Sequence, residues 1–206
     1  CRINRTMDDY LAYINKNLHV STVQCDTVIG TVGGKCLLTL LFTESNLMLA
    51  FLCDHHTAAC VKSKFEFLYN GLGDEFNILF PVILTDNGSE FSDPSSIEIA
   101  PDGSKRTSIF YCDPMASWQK GQVERNHEFI RMFLPKGSSF DNLTQDNISL
   151  MMSHINSYKR PALGNRSPFE MFAFIYGQST LDKLLRLTCQ TIIDPHDIIL
   201  KPLFIK

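Results

Sequence analysis

Residues 78–85 read ILFPVILT, an apolar run with no alternation. A strand with one wet face alternates polar and apolar residues. An unbroken run suits a strand buried on both sides, in a sheet covered by helices on both faces. Pro81 sits near its start, where a missing donor is tolerated. Around this run the pattern predicts further strands. Residues 22–30 are β-branched and end at Gly30, with Asp26 in the middle. Residues 35–43 and 47–53 are apolar and separated by Glu44-Ser45-Asn46, which reads as a hairpin. Residues 108–112 form a short strand. Between them, Ala58, Val61, Phe65 and Leu68 recur at helical spacing, and Asn70-Gly71 is the expected stop. Residues 92–106 and 113–121 read as loops. Helices are expected over 5–17, 122–134, 144–158, 167–176 and 179–187, with an apolar, Pro-broken tail along the body. The order predicts an α/β fold: a mixed five-stranded sheet with helices on both faces.

The chain has 206 residues, 44% hydrophobic and 20% charged, enough to bury a core without disulfide help. No apolar run reaches the roughly 18–20 residues of a membrane helix, and residues 1–5 hold no signal-peptide core. The chain begins with Cys1 rather than Met, so a fragment is expected. Seven cysteines, at 1, 25, 36, 53, 60, 112 and 189, include no C-x-x-C pair. They read as reduced thiols of a cytoplasmic protein. The group Cys53, Asp54, His55, His56 and Cys60 has the wrong spacing for tetrahedral zinc and reads better as a strand running into a helix.

The net charge of −3 hides an asymmetry. Residues 1–104 carry 6 basic and 13 acidic groups, residues 105–166 carry 9 and 5, and residues 167–206 carry 4 and 4. A basic middle on an acidic first half marks a segment that can meet an anionic partner.

Three carboxylates stand in telling places. Asp26 lies inside a strand, where burial costs several kcal/mol unless something offsets it. Asp86 follows the buried run, at the strand end where α/β sheets place ligands. Glu124 falls in the first turn of a long helix, favoured by the helix N-terminus. Singly each has a plain reading: a strand-edge residue, turn chemistry in Asp86-Asn87-Gly88, a solvated helix carboxylate. If the first and fourth strands are neighbours, Asp26 and Asp86 come side by side, and hard cations relieve the repulsion. A third carboxylate would complete a two-ion site for in-line phosphoryl displacement.

The segments Cys25-Asp26-Thr27-Val28-Ile29-Gly30, Leu84-Thr85-Asp86-Asn87-Gly88-Ser89-Glu90-Phe91, Tyr111-Cys112-Asp113-Pro114 and Ser117-Trp118-Gln119-Lys120-Gly121, with Glu124, resemble the DDE transposases of bacterial insertion sequences. More narrowly the chain is similar to the IS-thirty family, whose core resembles retroviral integrase. Residues 131–137, Asn156, Arg160-Pro161, Leu163-Gly164 and Ser167-Pro168-Phe169-Glu170 extend the match over nearly the whole chain. Two departures stand out. Thr22-Val23-Gln24-Cys25 replaces a G-H-W-E segment, and His127 stands where relatives often have Asn.

The resemblance implies an RNase H-like fold and a metal-dependent DNA cleavage and strand-transfer enzyme. Asp26, Asp86 and Glu124 match the catalytic, metal-binding triad, with Asp26 expected to bridge two Mg²⁺ or Mn²⁺ ions. No organic cofactor and no membrane partner is implied. The partners implied are double-stranded DNA, as transposon ends and target, and further copies of the chain as a homodimer or higher multimer. Arg131 matches a basic residue seven positions after the glutamate, two turns on along the same helix face. Lys105, Arg106, Lys120, Arg125, Lys136 and Arg160 are expected DNA contacts, and Trp118 either stacks on a base or anchors packing. His127 and Asn87 are accessory candidates. A lead-in over 1–20, an integrase-like core over 21–176 and a helix and tail over 177–206 are expected, with an upstream helix-turn-helix region missing from the chain. The acting protein is expected in the bacterial cytoplasm, at the nucleoid. Two alternatives stay open: a metal-dependent nuclease on the same fold, and a decayed or domesticated transposase that binds DNA without catalysis.

Overall fold

The computed structural model describes residues 2–203. Five strands form one mixed sheet in the order β3-β2-β1-β4-β5. They are β1 Thr22–Ile29, β2 Cys36–Phe42, β3 Met48–Cys53, β4 Val82–Thr85 and β5 Ser108–Tyr111. The first three run as an antiparallel meander, and β4 and β5 lie parallel to β1. Helix α1 is Met7–Lys16, α2 Ala58–Leu72, α3 Glu75–Leu79, α4 Pro94–Glu98, α5 Gly121–Phe133, α6 Gln145–Ser157, α7 Pro168–Tyr176 and α8 Gln178–Thr188.

Strand alternation divides the sheet between two helical layers. Val23, Cys25, Leu38, Leu40, Phe42 and Ile83 face α2, α3, α7 and α8. Val28, Leu37, Leu41, Met48 and Ala50 face α5 and α6. Next to them, Val82, Leu84 and Phe110 are covered by α1. Asp26 has the parity of Val28, so its carboxylate belongs to the α5 side.

Local chemistry corrects four expectations. The apolar run 78–85 is not one strand: residues 75–79 turn as α3, Pro81 intervenes, and only the all-buried Val82–Thr85 pairs. Asn70-Gly71 does not stop α2, which runs to Leu72 and ends at Gly73, φ 60°. That positive φ costs glycine least. The expected loop 92–106 contains α4, started by Asp93 accepting from Ser96 N, and an Ile99–Lys105 bridge. The seven cysteines are not all thiols: Cys53 and Cys60 are joined as a disulfide across the β3–α2 connection.

The open edge of β3 is closed by side chains. Asn156 Oδ1 accepts from Met48 N at 3.1 Å and its Nδ2 donates to Met48 O at 2.8 Å. Gln145 repeats the device from the other end of α6, accepting from Leu52 N at 2.8 Å and donating to Ala50 O at 3.1 Å. Two amides thus take the place of a sixth strand and blunt an edge that would otherwise template pairing. A serine stripe on α6 holds the tail. Ser149 donates to Thr188 O, while Ser153 and Ser157 accept from Thr191 N and Ile193 N. The tail expectation also covers residues 204–206, which lie outside the described residues. Among the described residues, no helix is long and apolar enough to cross a membrane.

Candidate active site

The parallel pairing of β1 with β4 places the two aspartates. Its register ends at Gln24↔Leu84, and Thr85 Oγ1 carries it on by donating to Cys25 O at 3.1 Å. One step further, Asp86 follows the end of β4 and stands beside Asp26, which is still inside β1. Lys120 Nζ lies between them, 3.1 Å from Asp26 Oδ1 and 2.9 Å from Asp86 Oδ2. The lysine side chain is 3% exposed. Burial pushes the Asp26 carboxyl above its ordinary value, Lys120 pulls it back, and Asp86 pushes it up again. For Lys120, burial works against the charge, but the two carboxylates outweigh it and hold the ammonium above its ordinary value. Thr27 N donates to Asp26 Oδ1 at 2.8 Å, and Gly88 N to Asp86 Oδ1 at 3.0 Å.

Glu124 reaches the site from α5. The lysine before that helix caps none of its backbone N–H groups. Gln24 supplies one acceptor instead: its Oε1 takes the Val123 N–H at 2.9 Å. This bond ties the first turn of α5 to β1, two residues before Asp26. Glu124 is exposed and lines, with Asp26, Asp86, Asn87 and Lys120, a cavity of about 330 Å³. Among the described residues no three His, Cys, Asp or Glu side chains are gathered closely enough to form a ready metal cluster. Glu124 shares the cavity without joining the two aspartates.

No protein-family model matches the chain. Sequence relatives do. The ORF3 protein of Spiroplasma virus SpV1-R8A2 B, named as an integrase, is 31% identical over 160 residues, covering 77% of this chain and 47% of that protein. Transposase InsI of insertion sequence IS30A from Escherichia coli strain K12 is 30% identical over 63 residues, 31% of this chain and 16% of that protein. Transposases of other insertion sequences also match. The chain is a relative of insertion-sequence transposases. It spans less than half the length of these relatives. The crystal structure of the catalytic core domain of BIV integrase superposes with a TM-score of 0.53 at 22% identity, over 79% of this chain and 97% of that one. The fold is therefore that of an integrase core, RNase H-like, as the sequence resemblance implied.

In this relative of transposases the expected DNA contacts separate into two groups. Trp118, Lys105, Arg125 and Lys136 are exposed. Lys136 and Arg131 line a second cavity of about 550 Å³ along α5, which Glu124 and His127 share. Arg131 is half-buried, with one guanidinium nitrogen donating to Ile29 O at 3.1 Å. Two expected contacts are corrected. Arg106 is buried, donates to Ile97 O and Ser96 O, and lies over the Tyr69 ring. Arg160 is buried against Asn126 and stacks over Phe129, and burial pulls its guanidinium down to about 10. Both guanidinium groups serve packing. Lys120, expected on DNA, is held by the two aspartates. Asn87 donates to Cys112 O at 2.8 Å on the cavity wall.

His127 is placed by β2, not by solvent. Thr39 Oγ1 donates to Asp26 O at 3.0 Å and lies 2.9 Å from His127 Nε2. A hydroxyl has one proton, so Nε2 must carry the hydrogen in this bond. Burial first, then Lys120 and Arg131, pull the imidazole down to about 4. It is neutral at pH 7. The folded state therefore binds fewer protons than the unfolded state between the ordinary value of 6.5 and about 4. Stability from this group is present above that window and is lost as pH falls through it, by roughly 2–3 kcal/mol. Urea unfolding at pH 7 and pH 4.5 measures the loss, and His127→Gln is expected to reduce it. An identical pH dependence in the variant contradicts this assignment.

Three positioning groups escaped the sequence reading: Gln24, Thr39, and the set Thr27, His56 and Glu90. Glu90 Oε1 accepts from Thr27 Oγ1 at 2.9 Å and lies 2.7 Å from His56 Nε2, tying the loop after Asp86 to the residue after Asp26. The available signal was a polar residue inside an apolar strand. Gln24→Leu leaves the Val123 N–H without a partner and is expected to cost about 2 kcal/mol. Amide exchange at Val123 should quicken while the far end of α5 is unchanged; unchanged exchange at Val123 would remove Gln24 from this role.

Proposed function

We propose that the chain is the catalytic core of a DDE transposase that cleaves DNA and joins strands with divalent cations. The observation that carries this reading is the meeting of Asp26, Asp86 and Glu124 on one cavity, from two adjacent parallel strands and the first turn of α5. The donor set fits Mg²⁺ or Mn²⁺: all oxygen, with few carboxylates, leaving room for substrate phosphate. The ammonium drawn between Asp26 and Asp86 supports the fit, since the pair demands a positive charge. Asp26, Asp86 and Glu124 would hold the cations. When bound, such a pair of ions activates the attacking oxygen and stabilises the leaving one.

The chain's own residues supply position and charge. Gln24 sets Glu124 relative to Asp26. Lys136, Arg131 and the exposed Arg125 offer cations to the phosphate backbone, and the exposed Trp118 offers a face for stacking. No side chain need form a covalent intermediate. Double-stranded DNA is the proposed partner, and a homodimer or higher multimer the proposed acting form.

The test is incubation of the chain with supercoiled plasmid and a labelled duplex carrying a free 3′-hydroxyl, with Mn²⁺ or with chelator. Metal-dependent joining of the label to plasmid is the expected result. Nicking without joining would favour the nuclease, and DNA binding with neither would favour a relic. Activity that persists in chelator would overturn the metal-dependent reading.

A further inference from the structure

We infer that Lys120 is a built-in counter-ion that holds the acidic site in the metal-free chain and must leave when a divalent cation enters. The inference concerns regulation of the proposed active site and rests on that reading. Lys120 Nζ touches Asp26 Oδ1 and Asp86 Oδ2 at once, from a side chain 3% exposed. An ammonium in that place satisfies the same two oxygens that a divalent cation would use. The two cations cannot share it: their charges repel strongly at contact distance in a poorly solvated site. Without the lysine, two neighbouring carboxylates, one largely buried, would face each other unpaired. The fold thus carries its own substitute for the metal.

The lysine is also mechanically placed to report its departure. It is the last residue of the 3₁₀ turn Ser117–Lys120, and α5 begins at the next residue. Glu124 lies four residues on, about one helical turn. Trp118, the chain's single tryptophan, is 76% exposed on the same turn. Loss of the Lys120 contacts frees this turn from β1 and β4. Entry of a cation is thereby coupled to the loop that presents Trp118 and, through α5, to Glu124.

The test compares Mg²⁺ titrations of the parent chain, Lys120→Met and Asp86→Asn, by calorimetry and by Trp118 fluorescence. Lys120→Met is expected to bind Mg²⁺ about tenfold more tightly or better, because a competing charge is gone. Mg²⁺ should shift Trp118 emission in the parent, but not in Lys120→Met, where the turn is already free, nor in Asp86→Asn. Lys120→Gln keeps hydrogen-bonding capacity and should repeat the tighter binding if the methionine variant does not fold. Equal or weaker Mg²⁺ binding in a folded lysine variant overturns the counter-ion role while leaving the metal site standing. Absence of binding in the parent and in every lysine variant overturns the site reading itself.

Discussion

Asp86→Asn is expected to reduce metal-dependent cleavage and joining about a thousandfold or more, with the fold unchanged. The effect on chemistry is large because the lost charge is half of the aspartate pair that Lys120 bridges. A metal ion contributes several kcal/mol of charge stabilisation in the transition state, and each 1.4 kcal/mol or so is tenfold in rate. The effect on folding is small for a separate reason. The Asp86 side chain is 43% exposed, so water can solvate the amide, and Lys120 keeps its contact with Asp26. Lys120 is buried but stays paired with Asp26, so loss of its half-exposed second partner is expected to cost about 1–2 kcal/mol. Circular dichroism and unfolding midpoint should match the parent within that margin. A variant that retains a tenth of parent activity would show that Asp86 does not hold the metal.

Asn156→Leu is expected to destabilise the chain by about 3 kcal/mol or more without touching the site. Asn156 is fully buried and serves three partners: Met48 N, Met48 O and the side chain of Gln190. Leucine fills similar space but leaves these groups buried without partners, at about 1–3 kcal/mol each. In a domain of this size that lowers the melting temperature by roughly 6–12 °C. Gln145→Leu, at the part-exposed end of the same edge, should cost less, since water reaches its partners. Equal losses in the two variants would mean that α6 simply packs on β3 and its amides close nothing.

The sheet was legible because its signals are local. The meander and the wholly buried fourth strand follow from hydrophobic pattern, and Asp26 inside a strand marks itself by its cost. What the sequence hid was set by contacts between distant segments. Nothing in Gln24 announces that it meets Val123 across the fold, or that Asn156 stands in for a strand. Arg106 and Arg160 were read as DNA contacts by charge alone, yet each found an aromatic ring and backbone or amide oxygens to bury against. Lys120 is the instructive case. Its type suggested phosphate, and only the pairing of β1 with β4 showed two carboxylates waiting on either side. The Cys53–Cys60 bridge likewise depends on a turn from β3 into α2 that spacing does not encode.

Asp26 and Asp86 are expected to form a divalent-cation site. Anomalous diffraction from crystals soaked in Mn²⁺, with a duplex bearing a 3′-end present, addresses it most directly. A manganese peak is expected within about 2.2 Å of carboxylate oxygens of both Asp26 and Asp86, with Lys120 Nζ moved out of the gap. A map in which saturating Mn²⁺ leaves no peak there, and Lys120 still bridges the two aspartates beside bound DNA, would contradict it.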